Sequence, residues 1–107
     1  VSGISFALIF AKKEVRVELN ITSSDAATNK AIFDEFLERK ASVEESFGHE
    51  LQWQRLDDKK ACRVKFGQAV DGYNEENWEM MIAWLVGHFP KLEKAFRPEI
   101  EKVKRNR

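Results

Sequence analysis

The sequence predicts an α+β fold, a four-stranded, mainly antiparallel sheet in the element order ββαββα with two helices on one face. Three observations predict it. Val15, Val17, Leu19 and Ile21 alternate with Arg16, Glu18 and Asn20, the period of a strand with one buried side. Two apolar stripes at helical spacing follow, one ending at Phe47 and one running from Trp78 to Phe96. Two pairs of strand-like runs surround them, each pair joined by a short polar break. A chain of 107 residues has room for one core, so residues 1–107 are read as a single domain.

The first strand covers residues 4–10, with Phe6, Leu8 and Phe10 toward the core and Ser5, Ala7 and Ile9 on the other side. Lys12, Lys13 and Glu14 are a polar break, so a hairpin leads into the second strand. Thr22, Ser23, Ser24 and Asp25 are capping residues, whose side-chain oxygens accept from the unpaired amides that open a helix. A helix over residues 26–47 follows from the stripe Ile32, Phe33, Phe36, Leu37, Val43 and Phe47, and Gly48 supplies a left-handed stop. Lys40 falls on that stripe, where its stem is expected to snorkel. Leu51 and Trp53 alternate with Gln52 and Gln54; Cys62, Val64 and Phe66 alternate with Arg63 and Lys65. These are two more strands, joined across residues 57–60. Asn74 caps the second helix, with Glu75 and Glu76 in its first turn. Its stripe is Trp78, Met81, Ile82, Leu85, Phe89, Leu92 and Phe96. Pro90 lacks a donor, so this helix is expected to kink near Pro90 or to restart there, and Pro98 to open a last short stretch. Strand order stays open. The strands flanking the first helix lie parallel and adjacent through a right-handed crossover, or the two hairpins meet another way.

Hydrophobic residues at 43%, with eight Phe and three Trp, exclude a disordered chain. Eighteen basic residues balance eighteen acidic ones, which argues against a dedicated binder of nucleic acid or membrane surface, although a local patch survives such cancellation. One cysteine forms no internal disulfide, so nothing points to an oxidising compartment. The longest apolar run, residues 4–11, falls far short of the ~20 residues of a membrane span, and no basic segment precedes it as in a signal peptide. The expectation is a cytoplasmic protein with no membrane partner. With no initiator Met and a strand within a few residues of the start, the chain reads as a C-terminal fragment of a longer one.

No pattern for chemistry emerges. His49, His88 and Cys62 show no metal-ligand spacing, so no metal and no cofactor is assigned. Cys62 belongs on the core face, where a free thiol is inert. There is no glycine-rich phosphate loop and no GxSxG elbow. Metal-dependent nucleases place an acidic residue before a strand carrying E-x-K; the nearest match, Glu14-Val15-Arg16, has no acidic residue before it, and Glu38-Arg39-Lys40 falls on a helix. No catalytic residue is assigned, and the expectation is no enzyme activity in these residues alone.

Two features remain. Arg16, Glu18, Asn20, Gln52, Gln54, Arg63 and Lys65 all point away from the helices. They form either a solvated sheet face or a docking surface for another domain or a phosphate backbone. Met80 and Trp84, four apart and off the main stripe, are interface candidates. They pack under the first helix in a broad stripe, or against a segment outside this chain or a second copy.

Val15-Arg16-Val17-Glu18-Leu19, Asn29-Lys30 with Ile32-Phe33-Asp34, Phe47-Gly48, Leu51-Gln52-Trp53, Arg55-Leu56-Asp57-Asp58 and Arg97-Pro98 resemble, in this order and spacing, a prokaryotic domain-of-unknown-function family, number 4268. The resemblance covers nearly all of the chain. It implies a domain at the C-terminal end of longer proteins, often after a nuclease-like region, and a helical segment upstream of the first strand. It supplies no catalytic residues. The functional expectation is therefore a non-catalytic accessory or interaction domain of a nuclease-like prokaryotic protein. Its partners are the N-terminal domain of the same parent and nucleic acid, the latter helped by the basic stretch of residues 91–107. The alternatives are a homodimerisation module, or part of an active site completed by the region before Val1.

Overall fold

The structure is a computed structural model and describes residues 3–106. Strict alternation makes β2 (Glu14–Ile21) the heart of the sheet. Val15, Val17, Leu19 and Ile21 are buried under the helices, and the intervening side chains stand on the opposite face. β1 (Ile4–Phe10) pairs with β2 over seven positions, Phe6 opposite Leu19 and Phe10 opposite Val15. β4 (Cys62–Ala69) pairs with the other side of β2 over eight, and β3 (Gln52–Gln54) pairs with β4. The order is β1-β2-β4-β3 and every pairing is antiparallel. The α+β fold is as expected, and the open question of strand order is answered by hairpins meeting through β2 and β4. No parallel crossover exists among the described residues.

The chain passes from β2 to β3 through helices rather than one helix. α1 (Ala26–Leu37) is capped by Asp25, whose carboxylate accepts from the Ala27 amide. α2 (Lys40–Phe47) ends at Gly48, which holds φ 99°, a left-handed conformation open to glycine. The expected single helix over residues 26–47 is broken at Glu38 and Arg39. A straight helix would carry Lys40 into the buried stripe between Phe36 and Val43, and an unpaired ammonium there is costly. The break leaves Lys40 exposed at the first position of α2, so its stem does not snorkel along the core.

A single 3₁₀ turn (Glu75–Asn77), capped by Asn74, leads into α3 (Trp78–Asn106). This helix carries on through Gly87, Pro90 and Pro98 without a restart, and the separate last stretch expected at Pro98 belongs to it. Both prolines are exposed, so the carbonyls they leave unbonded, those of Val86 and Lys94, belong to exposed residues as well. Edge-to-face aromatic pairs close the core: Phe36 of α1 with Phe96 of α3 at 5.4 Å between helices, and Phe47 of α2 with Phe66 of β4 at 5.1 Å between helix and sheet. Leu8 and Phe10 lie on the helix-side face as expected, but they are exposed. The helices cover β2 and reach only the start of β1.

Candidate functional site

The seven polar residues singled out from the sequence do share one face. The register lines up Asn20, Arg63 and Gln54 in one row across the sheet and Glu18, Lys65 and Gln52 in another, the β4 residue in the middle of each, with Arg16 beside Gly67. Glu18 is the centre. It is only 6% exposed although its face carries no covering layer, because its neighbours lie over it. Arg16 Nε donates to Glu18 Oε2 at 3.1 Å, Asn20 Nδ2 donates to Oε1 at 3.4 Å, and Arg63 Nε stands 3.7 Å from Oε2. Arg16 also donates to Glu14 Oε1 at 3.1 Å. Burial works against the charge on Arg16, but Glu14 and Glu18 together outweigh it and raise its pKa. Beside this network, Gly67 leaves a shallow cleft of about 200 Å³ lined by Lys13, Glu14, Gln52, Lys65, Gln68 and Ala69. Among the described residues no group of three or more His, Cys, Asp and Glu is placed to hold a metal ion.

A second cluster ties α1 to the β3–β4 loop. Asn29, fully buried, accepts from the Ser23 amide at 3.1 Å and donates to the carbonyls of Ser23 at 2.9 Å and Lys60 at 3.0 Å. Lys30 Nζ donates to three loop carbonyls, those of Arg55, Leu56 and Ala61, the last two at 2.8 and 3.0 Å. That holds Leu56 at φ 55°, a conformation rare outside glycine. Arg55 grips Asp34 with two parallel bonds of 3.0 Å and also pairs with Asp57. The guanidinium holds the Asp34 carboxyl below its usual range. Cys62 lies just under this clasp, and burial pushes its thiol up, away from the reactive thiolate.

A family model described as a domain of unknown function, DUF4268, matches residues 1–100. The chain belongs to this family. No curated protein and no solved structure matches it. Several of the residues on which the sequence resemblance rests form the clasp itself: Asn29, Lys30, Asp34, Arg55, Leu56 and Asp57. Their chemistry is spent on holding a loop. Glu44 serves the same end on α2, its Oε2 accepting from the Leu51 amide at 2.8 Å and from Trp53 Nε1 at 3.1 Å.

Of the two interface candidates, Met80 is exposed. Trp84 is half-buried, stacked on Phe66 at 5.7 Å and on His88 at 4.3 Å, so this DUF4268 chain covers much of it from within. His49 and His88, far apart in sequence, meet at that stack with ring centroids 6.1 Å apart. Sequence reasoning missed the larger bare surface. Leu8 and Phe10 of β1 and Trp78, Ile82 and Val86 of α3 are all exposed, and Phe10 meets Trp78 edge to face at 6.2 Å. Trp78 and Ile82, expected on the buried stripe of this helix, are exposed instead, and with Val86 they stand at i, i+4 and i+8 on one flank; that spacing, drifting off the stripe, was the available signal. Of the basic stretch, Lys102 and Lys104 pair with Glu99 and Glu101 on the same helix, and Arg107 lies outside the described residues. Among the described residues no helix is long and apolar enough to cross a membrane.

Proposed function

We propose that this DUF4268 domain is a non-catalytic interaction domain, an accessory part of a nuclease-associated prokaryotic protein in the cytoplasm, with protein as its partner. The observation that carries the reading is how Glu18 is used. A carboxylate that acts as acid, base or metal ligand must reach a substrate or an ion. Glu18 lies beneath its neighbours, with both oxygens engaged by Arg16, Arg63 and Asn20. The face that looks like a site is a network closed on itself. The surface left unsatisfied is apolar, along β1 and the adjacent flank of α3, and exposed apolar patches of this kind mark protein contacts. Glu18→Gln, made in the longest polypeptide that carries the domain, tests the reading. Stability is expected to fall by about 1–3 kcal/mol as Arg63 loses its counter-charge and Arg16 keeps only Glu14, with turnover of the polypeptide unchanged. Lost turnover with the fold intact would place Glu18 in an active site and overturn the proposal.

One observation favours a second role in contacting nucleic acid. In the cleft beside Gly67, two ammoniums, Lys13 and Lys65, and two amides, Gln52 and Gln68, line one hollow. Those groups contact a phosphate backbone, whereas Arg16 and Arg63 are held by Glu18. Replacing Lys13 and Lys65 by Gln should lower retention on duplex DNA and flatten its logarithmic salt dependence by about two. Unchanged retention removes this role.

A further inference from the structure

Resting on the interaction-domain reading, we propose that the partner of the apolar surface is a second copy of this chain, joined by antiparallel pairing of β1 with its own counterpart across a two-fold axis. β1 is the last strand of its sheet, so its outer backbone groups have no strand beside them. Proteins blunt such an edge with charge, proline or a bulge. β1 has none of these: its seven residues carry no charge and no proline, and they pair with β2 in unbroken register. Directly beside the edge, on the helix side, Leu8, Phe10, Trp78, Ile82 and Val86 are 41–65% exposed.

The two bare features select the occupant together. A lone strand added to β1 pairs the edge and leaves Ile82 and Val86 in water. A lone helix covers that flank and leaves the strand edge open. A second copy brings both a strand and a flank. Antiparallel pairing about an axis perpendicular to the sheet keeps both helix layers on one face, so each α3 flank turns toward its equivalent, as an isologous contact requires. The register that pairs all seven residues puts the axis at Ala7. Ile4 then meets the copy's Phe10, Phe6 its Leu8 and Ser5 its Ile9, with no like charges opposed. The two four-stranded sheets become one of eight. A seven-residue strand is about 23 Å long, and the molecule is 20 Å across its shortest dimension. That footprint, about 460 Å² per partner, lies somewhat below the roughly 600 Å² at which stable interfaces begin and points to a weak dimer, with a dissociation constant on the order of tens of micromolar.

Sedimentation equilibrium of the chain between about 1 and about 300 µM tests this. The expected result is a mass rising from one chain toward two. Leu8→Lys with Ile82→Lys, both at exposed positions, should weaken association at least about tenfold by placing like charges across the axis while leaving circular dichroism and melting unchanged. Ala7→Cys should give a disulfide-linked dimer on mild oxidation, and Ser5→Cys should not; the native Cys62 is buried and stays out of the reaction. A chain that stays single up to the highest concentration overturns the second copy, as does a dimer indifferent to the two lysines. Absence of the Ala7→Cys link in a lysine-sensitive dimer overturns the register. None of these outcomes touches the interaction-domain reading, which falls only with the Glu18→Gln result.

Discussion

Asn29 occupies a position that periodicity assigns to the core, four before Phe33 and seven before Phe36. A polar residue there is legible as an oddity. Its partners are not legible, because Ser23 and Lys60 lie six and thirty-one positions away and only the folded loop brings them in. Asn29→Leu keeps the volume and strands the groups it served, so it should cost about 2–4 kcal/mol in urea unfolding; a loss under about 1 kcal/mol would show that the loop satisfies itself without the amide. Lys30 and Arg55 were readable only as charged residues with a family resemblance. The structure shows one holding a carbonyl cage and the other gripping Asp34. The Asp34 pKa is lowered in the fold, chiefly by the Arg55 hydrogen bonds, so its contribution is present above the ordinary carboxylate pKa near 4 and is lost as pH falls through the lower folded value. The difference in urea midpoint between the native chain and Asp34→Asn should be flat from about pH 8 to about pH 5 and shrink toward zero below about pH 4. A difference that instead grows on acidification would contradict the Arg55 pairing as its source.

Strands and helices were legible in kind because period two and period 3.6 leave different marks. Their ends and breaks were less so. The stripe through α1 and α2 keeps phase across Glu38 and Arg39, and only the desolvation of Lys40 speaks against a straight helix. In β1 the alternation gave the right side of the sheet and could not give coverage, since how far a helix layer extends depends on its crossing and not on the strand. Of the kink or restart expected at Pro90 and the new stretch expected at Pro98, the restarts do not occur, because a helix tolerates a missing donor where the freed carbonyl is at the surface. Gly87 and Pro90, both exposed, are the poor helix formers of this stretch, while His88 and Phe89 between them pack inward. A Cβ on Gly87 meets nothing within 4 Å, so Gly87→Ala should stabilise the chain by about 0.5–1 kcal/mol. Pro90→Ala, which restores a bond to the Val86 carbonyl, should add to it. Thermal melting of the single and double variants checks both, and a lower midpoint for Gly87→Ala would mean that this turn departs from ordinary helical geometry.

At the scale of the molecule, strand order was the one topological choice left open, and local pattern could not make it. β2 alternates along its whole length and β4 over Cys62 to Phe66, and nothing in either names its neighbour. Register supplies the reason they pair. Val17 meets Phe66 and Leu19 meets Val64 beneath the helices while Glu18 meets Lys65 above, so one alignment satisfies both faces. Burial of the whole depends on that pairing, because the helices rest on the strands it joins. The three tryptophans report on different parts of this arrangement. Trp53 packs between Phe33 and Phe96 in the centre, Trp84 lies on Phe66 of β4, and Trp78 touches Phe10 at the bare edge. If one core unites the domain, chains retaining a single Trp, the other two changed to Phe, unfold in urea at the same midpoint as the far-ultraviolet circular dichroism of the same variant. An earlier transition seen by Trp78 alone would separate the first turns of α3 and β1 as a unit that opens by itself. Coincidence is the expected result, because the core residues Met81 and Leu85 follow Trp78 within two turns and α3 cannot lift at its start without exposing them.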